Sequence, residues 1–301
     1  MASLIQTRWA SVDPLLPHPD ALEHLCGRPV PAYDERGELK AITLIRRIQL
    51  KPDDLNAVWS PLDRYVLTPL VIGPDVAVDL NLALSNLPDT AKEQLKSSDR
   101  TALQVRWPSR DTLGMQALSL HSLQPRVVFA VCDREPAPTN IALKGISIRP
   151  IILEDIEPVA ALWKDVIDYD ISTGICFDRP NVAKNLRAEL LDRITRLEPW
   201  IWVAQTGQDL IGVVIATGPD DCGGVSPMVR RAPVAYLNAL SVKADYRGKL
   251  VGTALMVHAQ REIASRGVKT TIVHYGLANP LSAPLCGRLG FRPLWTEWSS
   301  I

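Results

Sequence analysis

No stretch of this 301-residue sequence stays apolar for the roughly 20 residues that a membrane-spanning helix needs. Its opening, MASLIQTRWASVDPLLPHPD, also lacks the apolar core of a signal peptide. A cytoplasmic protein with no membrane partner is therefore expected. Cysteine is sparse: Cys26, Cys132, Cys176, Cys222 and Cys286 are odd in number and never spaced CxxC, which argues against a disulfide framework and a zinc site. The five histidines form neither HExxH nor HxxxH, so no metal centre is expected. An excess of one charge is missing too. Lys+Arg and Asp+Glu number 33 each, and that balance gives no global field to attract nucleic acid.

What is present is an ordinary globular composition, 47% apolar and 22% charged, in a chain long enough for two cores. Residues 1–40 are rich in proline and turn formers and read as irregular, with one possible short helix at Asp20–Leu25. Strands are expected at Ala41–Leu50 and Tyr65–Ile72, a short polar helix at Thr90–Ser98, and mixed signals lie between. A strand, helix, strand unit follows at Thr101–Trp107, Thr112–Leu123 and Arg126–Val131. Pro136 and Pro138 then interrupt any regular element, and the domain boundary is placed there, dividing residues 1–140 from 145–301. Beyond it come a short strand at Ile146–Pro150, helices from Leu153 and from Pro180, and a hairpin of Trp200–Gln205 with Leu210–Thr217. After a long loop holding Asp220 and Asp221, the pattern closes with strand, helix, strand, helix and strand.

The sharpest signal is Tyr236–Leu255, YLNALSVKADYRGKLVGTAL. An apolar strand runs to Val242, a polar turn carries Arg247, Gly248 and Lys249, and a helix opens near Val251 with Val251, Leu255, Ala259 and Ile263 on one face. Free N–H groups and the dipole at such a helix start favour an anion, and a phosphate or pyrophosphate fits there.

Two motifs carry a family resemblance. Val242 followed by Arg247-Gly-Lys-Leu-Val-Gly252 resembles the pyrophosphate loop of the GNAT superfamily of acyl-CoA-dependent N-acyltransferases. Asn279, Ser282, Cys286 and Gly290-Phe291 occupy the positions of the superfamily's second motif. The element order over residues 145–301 resembles the same fold, and the whole chain resembles bacterial two-domain members whose first half is a degenerate relative of the second. Leu123-Gln-Pro-Arg-Val-Val and Leu289-Gly-Phe-Arg-Pro-Leu are the trace of that repeat. The resemblance implies an α/β (α+β) mixed-sheet fold, with a GNAT-like acyltransferase domain preceded by a smaller degenerate GNAT-like domain. No phosphate loop is visible in residues 1–140, and no cofactor is assigned to them.

The resemblance further implies acetyl-CoA as cosubstrate. Leu240, Ser241 and Val242 would pair with the pantetheine arm, and Arg247, Gly248, Lys249, Val251, Gly252 and Thr253 would wrap the pyrophosphate, with Asn279 also at the cofactor. It implies an N-acetyltransferase acting on the primary amine of a small molecule, as a monomer or homodimer; the alternatives are a protein or peptide acceptor and a non-catalytic acyl-CoA-binding module.

Two positions depart from the superfamily pattern. Leu250 stands where the loop has its first glycine, which strains the backbone if φ is positive there. Cys286 stands where a tyrosine acid is expected, and reads as a thiol acid, a nucleophile or a small buried residue. For the base, Tyr236 holds the position where the superfamily often has glutamate. His274 is the histidine nearest the expected cleft, as a base or as a hydrogen-bonded strand residue. The acids Asp165, Asp168, Asp170 and Asp178 suggest a cationic acceptor, or a solvated helix end.

Overall fold

The computed structural model describes residues 2–17, 26–92, 101–134, 141, 143–196 and 199–300. The proposed helix at Asp20–Leu25, most of Thr90–Ser98 and the linker prolines lie outside them. The opening forty residues are more regular than proline content suggests. Helix α1, Ala2–Val12, forms because Ile5 and Trp9 fall one turn apart and bury together, with Trp9 edge-on to Trp295 at 5.5 Å. Strand β1, Arg28–Tyr33, contains Pro29 and Pro31, yet it is the edge of the sheet, where a missing N–H removes no bond from an interior ladder.

Strands β2 (Leu39–Gln49) and β3 (Asp63–Val71) follow, then α2 (Val76–Ser85), α3 (Asp89–Lys92), β4 (Thr101–Pro108), α4 (Thr112–Leu120) and β5 (Gln124–Cys132). The second half comprises β6 (Ser147–Pro150), α5 (Ile156–Ser172), α6 (Val182–Ile194), β7 (Ile201–Thr206) and β8 (Asp209–Thr217). It continues through β9 (Val234–Val242), α7 (Val251–Ser265), β10 (Thr270–Gly276), α8 (Ser282–Arg288) and β11 (Arg292–Ser299). All the strands join one mixed sheet in the order β1-β2-β3-β4-β11-β5-β10-β9-β8-β7-β6. Strand β8, DLIGVVIAT, is buried on both faces, which explains its unbroken apolar run.

The middle of that order shows how the halves are joined. Strand β11 inserts between β4 and β5, and β5 inserts between β11 and β10, so each half lends its last strand to the other. The repeat is written in the hydrogen bonds as well. At the end of α4, His121, Ser122 and Leu123 donate to Leu118, Ser119 and Leu118; at the end of α8, Leu289, Gly290 and Phe291 donate to Cys286, Gly287 and Cys286. Ser122 (φ 59°) and Gly290 (φ 86°) both take the left-handed conformation that ends a helix in this way. Leu123 is thus the counterpart of Phe291, two places along from the Leu289 with which its sequence pattern aligns.

Candidate functional site

Strands β9 and β10 run parallel only from Val234 to Leu237 against Thr270 to Val273, and then part. On its other side β9 stays paired with β8 as far as Val242, through an irregularity that leaves Asn238 without a partner. The Asn238 side chain instead accepts from Thr217 Oγ1 at 2.7 Å. From Asn238 to Val242 one edge of β9 therefore faces an opening, with backbone donors and acceptors available to an extended ligand. The opening is part of a cavity of about 790 Å³ that reaches from the start of α7 to side chains of the first half.

At one end of the cavity lies the turn before α7. Gly248 (φ 74°) and Leu250 (φ 64°) both have left-handed backbone, and Arg247 Nε donates to Val242 O at 3.1 Å, which ties the turn to the end of β9. Lys249 Nζ lies 5.3 Å from the centre of the Tyr246 ring. No side chain caps α7. The N–H groups of its first turn consequently remain open to an anion. Helix α2, the counterpart in the first half, begins differently: the Asp75 carboxylate accepts from Val78 N, and Asp79 lies in the first turn. Negative charge already occupies that terminus, which opposes an anionic ligand there.

Leu250 confirms the strain anticipated from the sequence. Its side chain is 58% exposed, so little packing is lost when it is removed. Replacing it with glycine is expected to stabilise the protein by about 0.5–1 kcal/mol, the left-handed cost outweighing the added chain entropy; urea denaturation measures this.

Further in, the Tyr236 hydroxyl and His274 Nδ1 are 2.6 Å apart. Both side chains keep some surface on the cavity wall, yet protein surrounds them. Burial lowers the His274 pKa to about 4 and raises that of Tyr236, so both are neutral at pH 7. A histidine with a depressed pKa binds fewer protons folded than unfolded, so its stabilising contribution is complete above its unfolded value near 6.5. It is lost as pH falls toward 4. This group alone is expected to remove roughly 3 kcal/mol of stability over that window, and His274→Asn should abolish that part of the acid dependence in parallel melts.

On the opposite side, Cys286 is 4% exposed in α8 and packs with Leu255, Tyr275 and Phe291. Burial pushes its thiol up to about 12, which leaves no thiolate at neutral pH. Tyr275 lines the same wall beside it, its hydroxyl also raised by burial. Asn279 is committed to the protein: its Nδ2 donates to Asp170 Oδ1 at 3.0 Å and its Oδ1 accepts from Leu281 N at 3.0 Å. Burial raises the Asp170 carboxyl, with the Asn279 hydrogen bond opposing. Asp165 and Asp170 both line the cavity, whereas Asp168 pairs with Lys164. Asp221 pairs with Arg196, outside the cavity lining.

Nothing local in the sequence signals that the first half reaches this cavity. The 3-10 turn Leu55–Trp59, capped by Asp54, folds over its inner end. It is held by Arg179 Nε donating to Ala57 O (3.1 Å) and Asn185 Nδ2 donating to Asp53 O (2.7 Å). Arg64, Gln104 and Phe129 also line that end. Among the described residues no group of three or more His, Cys, Asp or Glu side chains is placed to hold a metal, and no helix is long and apolar enough to cross a membrane.

A parted parallel strand pair with an open helix terminus at its mouth is a place for an extended ligand that ends in an anion. Residues 172–291 match the model of the Acetyltransferase (GNAT) family. The matched residues lie in the second half of the chain, and the first half carries an α/β unit of its own that contributes β1 to β5. Among solved structures, a GCN5-related N-acetyltransferase from Sphaerobacter thermophilus is similar over 99% of this chain and 90% of its own (TM-score 0.60, 13% identity). A GCN5-related glucosamine N-acetyltransferase region of a fungal multi-domain GH3 β-N-acetylglucosaminidase matches 99% of this chain and 36% of that one (TM-score 0.55, 14% identity). A GNAT-family acetyltransferase from Colwellia psychrerythraea covers 89% and 83% (TM-score 0.51, 12% identity). At these identities the likeness is one of fold. No curated protein matches the chain.

Proposed function

We propose that this protein transfers an acetyl group from acetyl-CoA to the primary amine of a small molecule. The observation that carries this reading is that the open edge of β9, the uncapped start of α7 and the Tyr236–His274 pair all face one cavity. Leu240, Ser241 and Val242 pair with the pantetheine arm. Arg247, Gly248, Lys249, Val251, Gly252 and Thr253 cradle the pyrophosphate. Asn279 acts on the cofactor indirectly, by fixing the approach to α8 through Asp170. Residues 1–140 and 145–301 are the two halves of the repeat, and the first half closes the acceptor end. That closure favours a metabolite over a protein N-terminus or lysine.

The neutral amine attacks the thioester carbon from the Tyr236 side of the sheet. As the C–N bond forms, the amine proton passes to the Tyr236 oxygen while the Tyr236 proton passes to His274 Nδ1. The C–S bond breaks, and Tyr275, on the other side of the parted strands, donates a proton to the leaving sulfur. Cys286 packs the wall. Cys286→Ala should leave kcat within about two-fold of the parent and cost about 1 kcal/mol of stability through lost packing; a kcat loss of more than ten-fold would return the thiol to the mechanism.

Free thiol followed with acetyl-CoA and an amine panel tests the function. Amine-dependent thiol release that disappears in Arg247→Ala is expected. Acetyl-CoA binding with no release from any amine would leave only a non-catalytic binding module.

A further inference from the structure

The inner end of the cavity holds a cation that acyl transfer does not use. Arg64 lies on β3, in the first half, and its side chain lines the cavity beneath the turn Leu55–Trp59. One Nη donates to Ser60 Oγ, and Ser60 in turn donates to Asn56 O at 3.2 Å. The Nε of Arg64 is buried without a hydrogen-bond partner. Its cationic neighbours Arg106 and Arg193 each pair with a carboxylate, although Arg106 Nε is likewise buried without a hydrogen-bond partner. Arg106 Nη2 donates to Glu297 Oε2 at 3.1 Å and stacks 4.5 Å over Phe129, and Arg193 Nε donates to Glu189 Oε1 at 2.8 Å. For Arg64 no carboxylate of a described residue comes within ion-pair distance; Glu297 attracts it from farther off, while Arg46 and Arg106 repel it.

A partly dehydrated guanidinium with an unused donor and like-charged neighbours lowers stability unless something supplies the missing acceptor. Protein does not supply it here. The Arg64 side chain borders the cavity, and a guanidinium is a planar fork that suits a carboxylate. Its place in the cavity is also fixed relative to the chemistry. Glu297 acts electrostatically on Arg64, Tyr236 and His274 alike, and Arg106 on both Arg64 and Tyr236, so the five side chains form one cluster. On the α5 side of the same cavity stand Asp165 and Asp170, of the sign that attracts an ammonium group.

We propose that the acceptor is an amine that also bears a carboxylate, an amino-acid-like zwitterion, with the carboxylate bound by Arg64 and the amine directed at Tyr236. This rests on the acyl-transfer reading above and names its substrate class. It also extends the reading of the acids as pointing to a cationic acceptor: the acids of α5 receive the arriving ammonium, and the first half contributes the counter-charge. The first half thus sets specificity without holding a cofactor.

Matched pairs that differ only in the carboxylate test this: lysine against cadaverine, phenylalanine against phenethylamine, and β-alanine against ethylamine. At least one carboxylate-bearing member is expected to exceed its partner by about ten-fold or more in kcat/KM, mostly through KM. That preference should fall to near unity in Arg64→Gln and be partly retained in Arg64→Lys, with the acetyl-CoA affinity unchanged in both. Binding of the same pairs to the CoA-loaded protein, read by thermal shift, gives a measure independent of turnover. Equal use of both members, a preference that survives in Arg64→Gln, or failure of every carboxylate-bearing amine both to bind and to react would each overturn the proposal. Acetyl-CoA binding with no carboxylate preference sinks this inference alone; absence of acetyl-CoA binding sinks the acyl-transfer reading and this inference with it.

Discussion

Tyr236→Phe is expected to lower kcat by about 10²-fold, the scale of a lost general acid-base group, while the affinity for acetyl-CoA stays at its parent value. The substitution removes one oxygen. It leaves the ring in the wall and His274 in place, but the 2.6 Å link is gone and no group passes the amine proton to His274. His274→Asn should fall to a similar level, and the double variant should be scarcely worse than either, because two members of one relay do not contribute independently. With His274 near 4 and Tyr236 raised, the pair does not titrate around pH 6.5. The kcat/KM profile should therefore rise from pH 5 to 8 with the fraction of neutral amine and show no separate limb from histidine. A distinct histidine limb near 6.5, or a Tyr236→Phe variant of parent activity, would remove the pair from the mechanism.

The second large effect is expected at Gly252, where stability and binding should move in opposite directions. A methyl built there would lie 3.5 Å from Val242 Cγ2 and 3.6 Å from Leu240 Cδ2, ordinary contact distances. The protein itself therefore does not require glycine at this position. Helix propensity even favours alanine, by up to about 1 kcal/mol. The methyl would nonetheless project into the cavity, between β9 and α8, where the proposed acetyl-CoA brings its pyrophosphate to the first-turn N–H groups. Gly252→Ala should thus melt at or above the parent temperature and bind acetyl-CoA at least about ten-fold more weakly, the cost of holding a charged ligand away from its donors. A variant that is stable and binds normally would show that the ligand does not pass this position.

The parts of this site legible in the sequence were those fixed by local chemistry. The turn Arg247–Gly252 was readable because glycine, basic residues and a following amphipathic helix are neighbours in sequence and neighbours in space. Strands β2 to β11 are legible because their faces alternate or run apolar or are rich in β-branched residues. Tyr236 and His274 are each marked by strand position, but their hydrogen bond depends on the parallel register of β9 and β10, which brings together residues 38 apart in the chain. Nothing local encodes that register. Helix α1 and strand β1 were obscured by prolines and small residues whose tolerance comes from their places at the sheet edge and over Trp295. Arg64 was the least visible. It reads as one more strand arginine until β11 is seen to sit between β4 and β5, an exchange that brings residues of the first half to a cavity built by the second. Of the three readings that its position allows for Cys286, burial selects the packed residue.

Calorimetric titration of acetyl-CoA into the parent protein and into Gly252→Ala tests the central claim most directly. One site per chain in the parent, competed by CoA, and binding at least about ten-fold weaker in an equally stable variant are the predicted result. No binding to the parent at millimolar acetyl-CoA, or equal binding to both proteins, would contradict the assignment of this cavity to the acyl donor.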